Sequence, residues 1–403
     1  MRVQRALTHH AAKYQPITHA IILPFFAQGG AEQTAWNFAR AVHKALGSGV
    51  VIIAADRKLA SHNVLDPPEG ALLIDLETTF GEADYRDREA LLLAVLRLCQ
   101  ADTMHIINSE VAWRLLIKAP ASLQKIGKVF GSIFAFQYDW ETRQRLGYAE
   151  TFLRDALPYL DGLLSDNQRF LDDALVIYGL EREKVRFSTV YNPVRFSIEE
   201  SDQASCTLWK EFASTSKQGR LQILWAGRLD REKRPELLIG TARLCPDMDF
   251  HVYGTKVVDD SDSVDISKLP NIFYHGPFTD PAAVVRDRQF HALMFTSRWE
   301  GMPNVVLEFG ALGLPVVAAR VGGLAELIDD QTGYPLPERA IAEDYADAFD
   351  DIATNPKEAL ARAAALRDRI HSRHTSDRFV QRLSEVPNYL PKNGASSEPE
   401  GTN

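Results

Sequence analysis

The 403 residues are 45% hydrophobic and 25% charged, the make-up of a globular protein with more chain than one ordinary core uses, so two domains are expected. A net charge of −9 argues against a nucleic-acid binder, which normally carries a basic face. Cys99, Cys206 and Cys245 are too few and too far apart for a disulfide framework or a Cys-x-x-Cys metal site, and fit reduced cytosolic thiols.

From the start of the chain, Met1 to Gln15 holds histidines and charges where a secretory leader would be apolar. No run anywhere approaches the ~20 apolar residues of a membrane span. A cytoplasmic location is expected. The near-neutral first half leaves room for peripheral contact with the inner face of a membrane. Ala20 to Pro24 reads as a buried strand, followed by the glycine turn Gln28-Gly29-Gly30 and a helix from about Ala31 to Leu46. Strands are expected at Val50 to Ala55, Ala71 to Leu76, Met104 to Ile107 and Lys128 to Ala135, with a helix over Arg88–Gln100 between them. That alternation implies parallel sheets with helices on both faces. A polar, turn-rich segment from Arg195 to Gly219 marks a boundary, and a second strand-helix series opens at Leu221 to Gly227. The expected division is 1–195, 196–375, a returning helix over 376–390, and a Gly/Ser/Pro/Glu-rich, disordered tail over 391–403.

Two stretches of the second series carry chemistry. Gly227-Arg228-Leu229-Asp230-Arg231-Glu232-Lys233 follows a strand, so Arg228 and Lys233 lie at its carboxyl end, where doubly wound sheets bind ligands. Two cations there would neutralise a diphosphate, the arginine in bidentate fashion and the lysine as a point charge. Alone, the motif is equally a solvated basic turn. The second stretch runs from Ser297 through Glu300-Gly301-Met302-Pro303-Asn304-Val305 to Glu308, after the apolar His291 to Phe295. A helix starting at Pro303 and stopping near Gly313 would aim free N–H groups and a partial positive charge at an anion. Glu308 inside that helix would hold a ribose diol, and Glu300 in the loop would reach a sugar ring. The backbone of Gly301, Met302, Pro303, Asn304 and Val305 would line sugar and phosphate; proline has no N–H, so Met302 and Asn304 are the better donors. Either glutamate alone could be a cap or a solvated side chain. Asp260-Ser261-Asp262 is the one candidate metal motif. It sits in an acidic, serine-rich run with no buried strand before it, so no metal is expected.

The Glu300-x7-Glu308 spacing, continued by Pro315 to Val317, Gly322-Gly323, Glu326 and Gly333, resembles the motif of retaining glycosyltransferases of family 4. Gly227-Arg228-Leu229 with Lys233 is similar to a second signature of that family, and Gly29-Gly30-Ala31-Glu32-Gln33 to its N-terminal glycine loop. The resemblance implies the GT-B fold: two doubly wound, Rossmann-like α/β domains facing across a cleft, with a C-terminal helix crossing back. It implies a nucleoside-diphosphate sugar donor held mainly by the second domain, with no other cofactor. It implies a saccharide or lipid-linked saccharide acceptor entering from the first, and transfer with retention. Arg228, Lys233 and Glu300 would then serve catalysis; Gly29, Gly30, Gly301, Met302, Pro303, Asn304, Val305 and Glu308 would bind the donor.

The first half departs from the family pattern. Ile133 to Trp140 lacks the histidine that relatives often carry there, so Gln137 or Asp139 is a candidate in its place, while His105 reads as structural. Rivals to a transferase in polysaccharide or glycolipid assembly are a sugar-nucleotide epimerase, a phosphorylase, or a catalytically silent nucleotide-sugar-binding subunit.

Overall fold

The computed structural model of the chain describes residues 2–14, 16–26, 29–56, 67–82, 84–139, 141–215, 220–255 and 269–390. They divide into two compact units. One takes its residues from 1–190 and 376–403, the other from 191–375.

The first unit contains β1 (Ile17–Leu23), β2 (Gly49–Ala54), β3 (Ala71–Asp75), β4 (Thr103–Ile107), β5 (Lys128–Ser132), a short hairpin of β6 (Gln137–Tyr138) and β7 (Arg145–Leu146), β8 (Gly162–Ser165) and β9 (Phe187–Thr189). Seven of these form one sheet in the order β3-β2-β1-β4-β5-β8-β9, every pair parallel. The strands read as near-continuous apolar runs because both faces are covered. Along β1 the faces alternate: Ile22 joins Leu92, Trp113 and Val129 in one core, while Ile21 and Leu23 join Trp36 and Phe38 in the other. The second core is closed by the end of the chain. Helix Ser376–Glu385 packs on helix Gly30–Leu46, and Phe379, Leu383, Val386 and Tyr389 complete the apolar layer.

The second unit contains β10 (Gln222–Ala226), β11 (Asp249–Tyr253), β12 (Ile272–Gly276), β13 (Ala292–Phe295), β14 (Val316–Ala319) and β15 (Tyr334–Leu336). Their order is β12-β11-β10-β13-β14-β15, again all parallel. Each sheet reverses its direction of growth beside its first strand, between β1 and β4 and between β10 and β13. Loops at the carboxyl ends of those strands diverge, and the gap is where such sheets take ligands. The two extremities of this unit are bonded together: the Val194 N–H donates to the His374 carbonyl at 2.8 Å, and His374 Nδ1 meets the Asn192 carbonyl at 2.8 Å.

One element was not anticipated and one expectation changes. Residues Arg2–Tyr14 form a helix, anchored by Val3, Leu7 and the ring of His10. Pro303 is the N-cap and not the first helical residue: its ψ of 120° is extended, and its carbonyl accepts from Val306 N and Leu307 N. The helix runs Asn304–Ala311, and Gly313 follows with φ +85°. Asp260 to Asp262 and the tail over 391–403 lie outside the described residues. Among the described residues no helix is long and apolar enough to cross a membrane.

Candidate functional site

Two loops of the second unit meet at its switch point, one after β10 and one after β13. Backbone contacts fix them. Gly254 lies against the first loop with φ +152°, and a Cβ there would sit 1.7 Å from the Gly227 carbonyl oxygen. Gly322, at φ +50°, lies against the second, where a Cβ would sit 1.8 Å from the carbonyl oxygen of Glu300. Only glycine satisfies both demands, a left-handed backbone and contact with another main chain. Gly323 N–H then donates to the Gly301 carbonyl at 3.0 Å. The loops are also joined to each other. Arg298 N–H donates to the Glu232 carbonyl at 2.9 Å, and the Thr296 hydroxyl donates to the Lys233 carbonyl while accepting from Trp225 Nε1 at 2.9 Å.

This frame brings Arg228, Lys233 and Glu300 together. Lys233 Nζ pairs with Glu300 and, at 2.8 Å, with Glu232. Arg228 Nε donates to Asp230 at 2.7 Å, and its other end reaches Glu232 at 3.2 Å. Burial by itself would lower the Lys233 pKa, but the carboxylates of Glu300 and Glu232 outweigh it, so the ammonium is held above its usual value. Neighbouring carboxylates thus favour the charged form of both cations.

Gly301, Met302 and Pro303 lead into helix Asn304–Ala311. Met302 turns its side chain into the core, at 4% exposed, so only its backbone faces the loop. Asn304 and Val305 are the first two helical residues, whose N–H groups have no carbonyl in the preceding turn. Glu308 is buried on that helix, and Arg195 Nε donates to its Oε1 at 2.6 Å. Desolvation raises the Glu308 pKa despite the attraction of Arg195. Arg195 is the residue that sequence reading missed. It stood at the expected boundary, 113 positions from its partner, with no local signal.

In the first unit, Gly29 is the N-cap of helix Gly30–Leu46 with an extended φ of −151°. A Cβ on Gly29 would meet the Glu32 carboxylate at 2.6 Å, whereas one on Gly30 would meet nothing within 4 Å. Gln28 and Trp140 lie outside the described residues. Asp139 closes the β6–β7 turn, accepting from Thr142 N and the Thr142 hydroxyl, both at 2.7 Å. Gln137 lies against Gly147. His105 is fully buried, hydrogen-bonded through Nδ1 with the Tyr389 hydroxyl at 2.8 Å and through Nε2 with the Ser132 hydroxyl at 2.7 Å. Burial pushes its pKa down to about 3, so it is a neutral structural histidine.

Two parallel, doubly wound sheets of this order define the architecture of the GT-B glycosyltransferases. The structure of Alr3699/HepE from Anabaena in complex with UDP superposes with a TM-score of 0.69 at 15% identity, over 92% of this chain and 99% of that one. Residues 220–355 match the family described as Glycosyl transferases group 1, so the second unit carries that family's sequence signature. D-inositol 3-phosphate glycosyltransferase of Arthrobacter sp. (strain FB24) is 32% identical over 162 residues, 37% of this chain and 38% of the relative. O-antigen biosynthesis glycosyltransferase WbnH of Escherichia coli is 29% identical over 140 residues, 32% of this chain and 40% of the relative. The matched region thus spans about two fifths of each of these curated relatives.

Proposed function

We propose that this protein is a family 4 glycosyltransferase that moves a sugar from a nucleoside-diphosphate sugar to an acceptor hydroxyl. In this reading transfer retains configuration, needs no metal ion, and serves assembly of a surface polysaccharide or glycolipid at the cytoplasmic side of a membrane. The observation that carries it is the convergence of Arg228, Lys233, Glu300 and the amino end of helix Asn304–Ala311 at one switch point, within the group 1 segment.

The chemistry follows from where charge grows. As the bond between the anomeric carbon and the donor oxygen breaks, negative charge builds on the departing diphosphate. Arg228 and Lys233, with the N–H groups of Asn304 and Val305, stabilise that charge without reorganising. Glu308 accepts the ribose hydroxyls and Glu300 the hydroxyls of the sugar. Gly29 and Gly30 keep the role of a turn that offers backbone N–H groups to phosphate. The acceptor oxygen bonds to the anomeric carbon on the leaving-group face, and its proton passes to the departing phosphate. The O-antigen relative supports the polymer context. The acceptor is read as a saccharide or lipid-linked saccharide.

The test is release of nucleoside diphosphate from a panel of sugar nucleotides with a crude acceptor extract, with and without a chelator. Release from one donor, unaffected by the chelator, with the product anomer matching the donor by NMR, is expected. Tight nucleotide binding with no release from any donor would reduce the protein to a silent binding subunit. A chelator-sensitive reaction refutes the metal-free step, and an inverted product refutes retention.

A further inference from the structure

We infer that Arg195 is a positioning residue for the donor ribose: its Nε–H fixes one oxygen of Glu308 and leaves the other, with a spare lone pair on the first, to the sugar diol. This rests on the assignment of Glu308 to the ribose.

The surroundings of Glu308 call for such a partner. The residue is 5% exposed, on a helix whose neighbours are apolar: Phe309 lies 5.9 Å from Phe278, and Leu366 and Ile370 approach Gly310. A lone carboxylate there would take a proton sooner than stay charged. Among the described residues Arg195 is the cation that faces it, with Nε 2.6 Å from Oε1, and no donor meets Oε2. The other charged group facing it is Asp280, the N-cap of helix Pro281–Asp287, which repels negative charge. Helix Pro356–Arg373 contributes the apolar Leu366 and Ile370.

The chemistry of the diol makes the charge state matter. Two adjacent hydroxyls donate two hydrogen bonds, and an ionised carboxylate is an acceptor on both oxygens. Protonation converts one oxygen into a donor and spoils the match. Burial and Asp280 both favour that proton, and Arg195 is the group that opposes it. Its side chain is 41% exposed, so it reaches the buried carboxylate from the surface.

The experiment is calorimetric titration of UDP, GDP and ADP into the full-length protein between pH 5.5 and 8. Wild type, Arg195→Ala, Arg195→Lys, Glu308→Ala, Glu308→Gln and the double variant Arg195→Ala/Glu308→Gln are compared. Relative to wild type, Arg195→Ala is expected to lose roughly tenfold more affinity on going from pH 8 to 5.5, the equivalent of about one pKa unit. Arg195→Lys, which keeps the cation, restores the wild-type profile. In the Glu308→Gln background the Arg195→Ala change leaves the pH profile unaltered. If Arg195→Ala fails to fold, Arg195→Gln, which keeps a donor and loses the charge, is read in its place. Parallel profiles for wild type and Arg195→Ala, with Glu308→Ala weakened, overturn the positioning role alone. Unchanged affinity in Glu308→Ala overturns the ribose assignment and this role with it.

Discussion

Gly322→Ala is the sharpest perturbation of the site, because its effect can be followed from one contact. The new Cβ would start 1.8 Å from the Glu300 carbonyl oxygen, a backbone atom with no rotamer to yield, and tolerable contact begins near 3.0 Å. The Glu300 loop or the Gly322 turn must therefore move by about 1 Å. That movement strains the 3.0 Å bond from Gly323 N–H to the Gly301 carbonyl. A left-handed alanine costs about 1 kcal/mol and a weakened hydrogen bond about another, so a loss of roughly 2–3 kcal/mol is expected. In a unit of this size that lowers the melting temperature by about 5–10 °C. Because Glu300 and the Lys233 it pairs with move off register, turnover should fall about 100-fold. Gly313→Ala is the control. It too sits at positive φ and would meet the Ser205 Cβ at 2.6 Å, but beyond the far end of the helix, so it should lose stability and keep turnover. Melting by circular dichroism and donor turnover on both variants decide the matter. Wild-type turnover in Gly322→Ala would refute the claim that this glycine sets the position of Glu300.

Three further outcomes are expected. Lys233→Met leaves Glu232 and Glu300 without their shared cation, and should weaken nucleoside diphosphate about 10–100-fold while affecting the bare nucleoside little; equal loss for both ligands would contradict a role at the phosphates. His19 and His105 are buried neutral, with pKa values pushed down to about 4 and about 3 by desolvation. Their folded values lie below the ordinary 6.5, so as pH falls below 6.5 the unfolded chain takes up protons that the native chain refuses, and stability drops; above 6.5 neither contributes. Urea midpoints that stay level between pH 7.5 and 5.5 would count against this. Tyr389→Phe removes the hydroxyl that bonds to His105 Nδ1 and should cost about 1–3 kcal/mol in urea denaturation, with nucleotide affinity unchanged.

Much of the second unit was legible because the residues expected to form its site sit close to where strands end. Gly227 and Lys233 follow one apolar run and Glu300 another, so chain position puts them at the carboxyl end of the sheet, while the Glu300-x7-Glu308 spacing singles out Glu308 on the helix beyond. The alternation of runs gave the parallel architecture for the same reason. What escaped depends on pairs distant in sequence. Arg195 meets Glu308 across 113 positions, and His105 meets Tyr389 across 284. No local pattern encodes such encounters. The helix Arg2–Tyr14 was missed because only Val3, Leu7 and His10 are buried, too sparse an apolar stripe among histidines and charges. Pro303 shows the limit of a positional rule: proline stands one residue earlier than its usual preference, because its carbonyl, not its ring nitrogen, begins the helix.

The discontinuity of the first unit bears on how the protein is made. Phe379, Leu383 and Tyr389, which close one of its two cores, follow the whole of the second unit in the chain and are synthesised after it. The second unit lies wholly within 191–375, and the bonds of His374 to Asn192 and Val194 tie its extremities together. It can finish folding while the first sheet still has a bare apolar face. The unit that begins earlier in the chain is thus completed after the one inserted in it, and during that interval its exposed Phe38 and Phe130 are the surface a chaperone would have to guard.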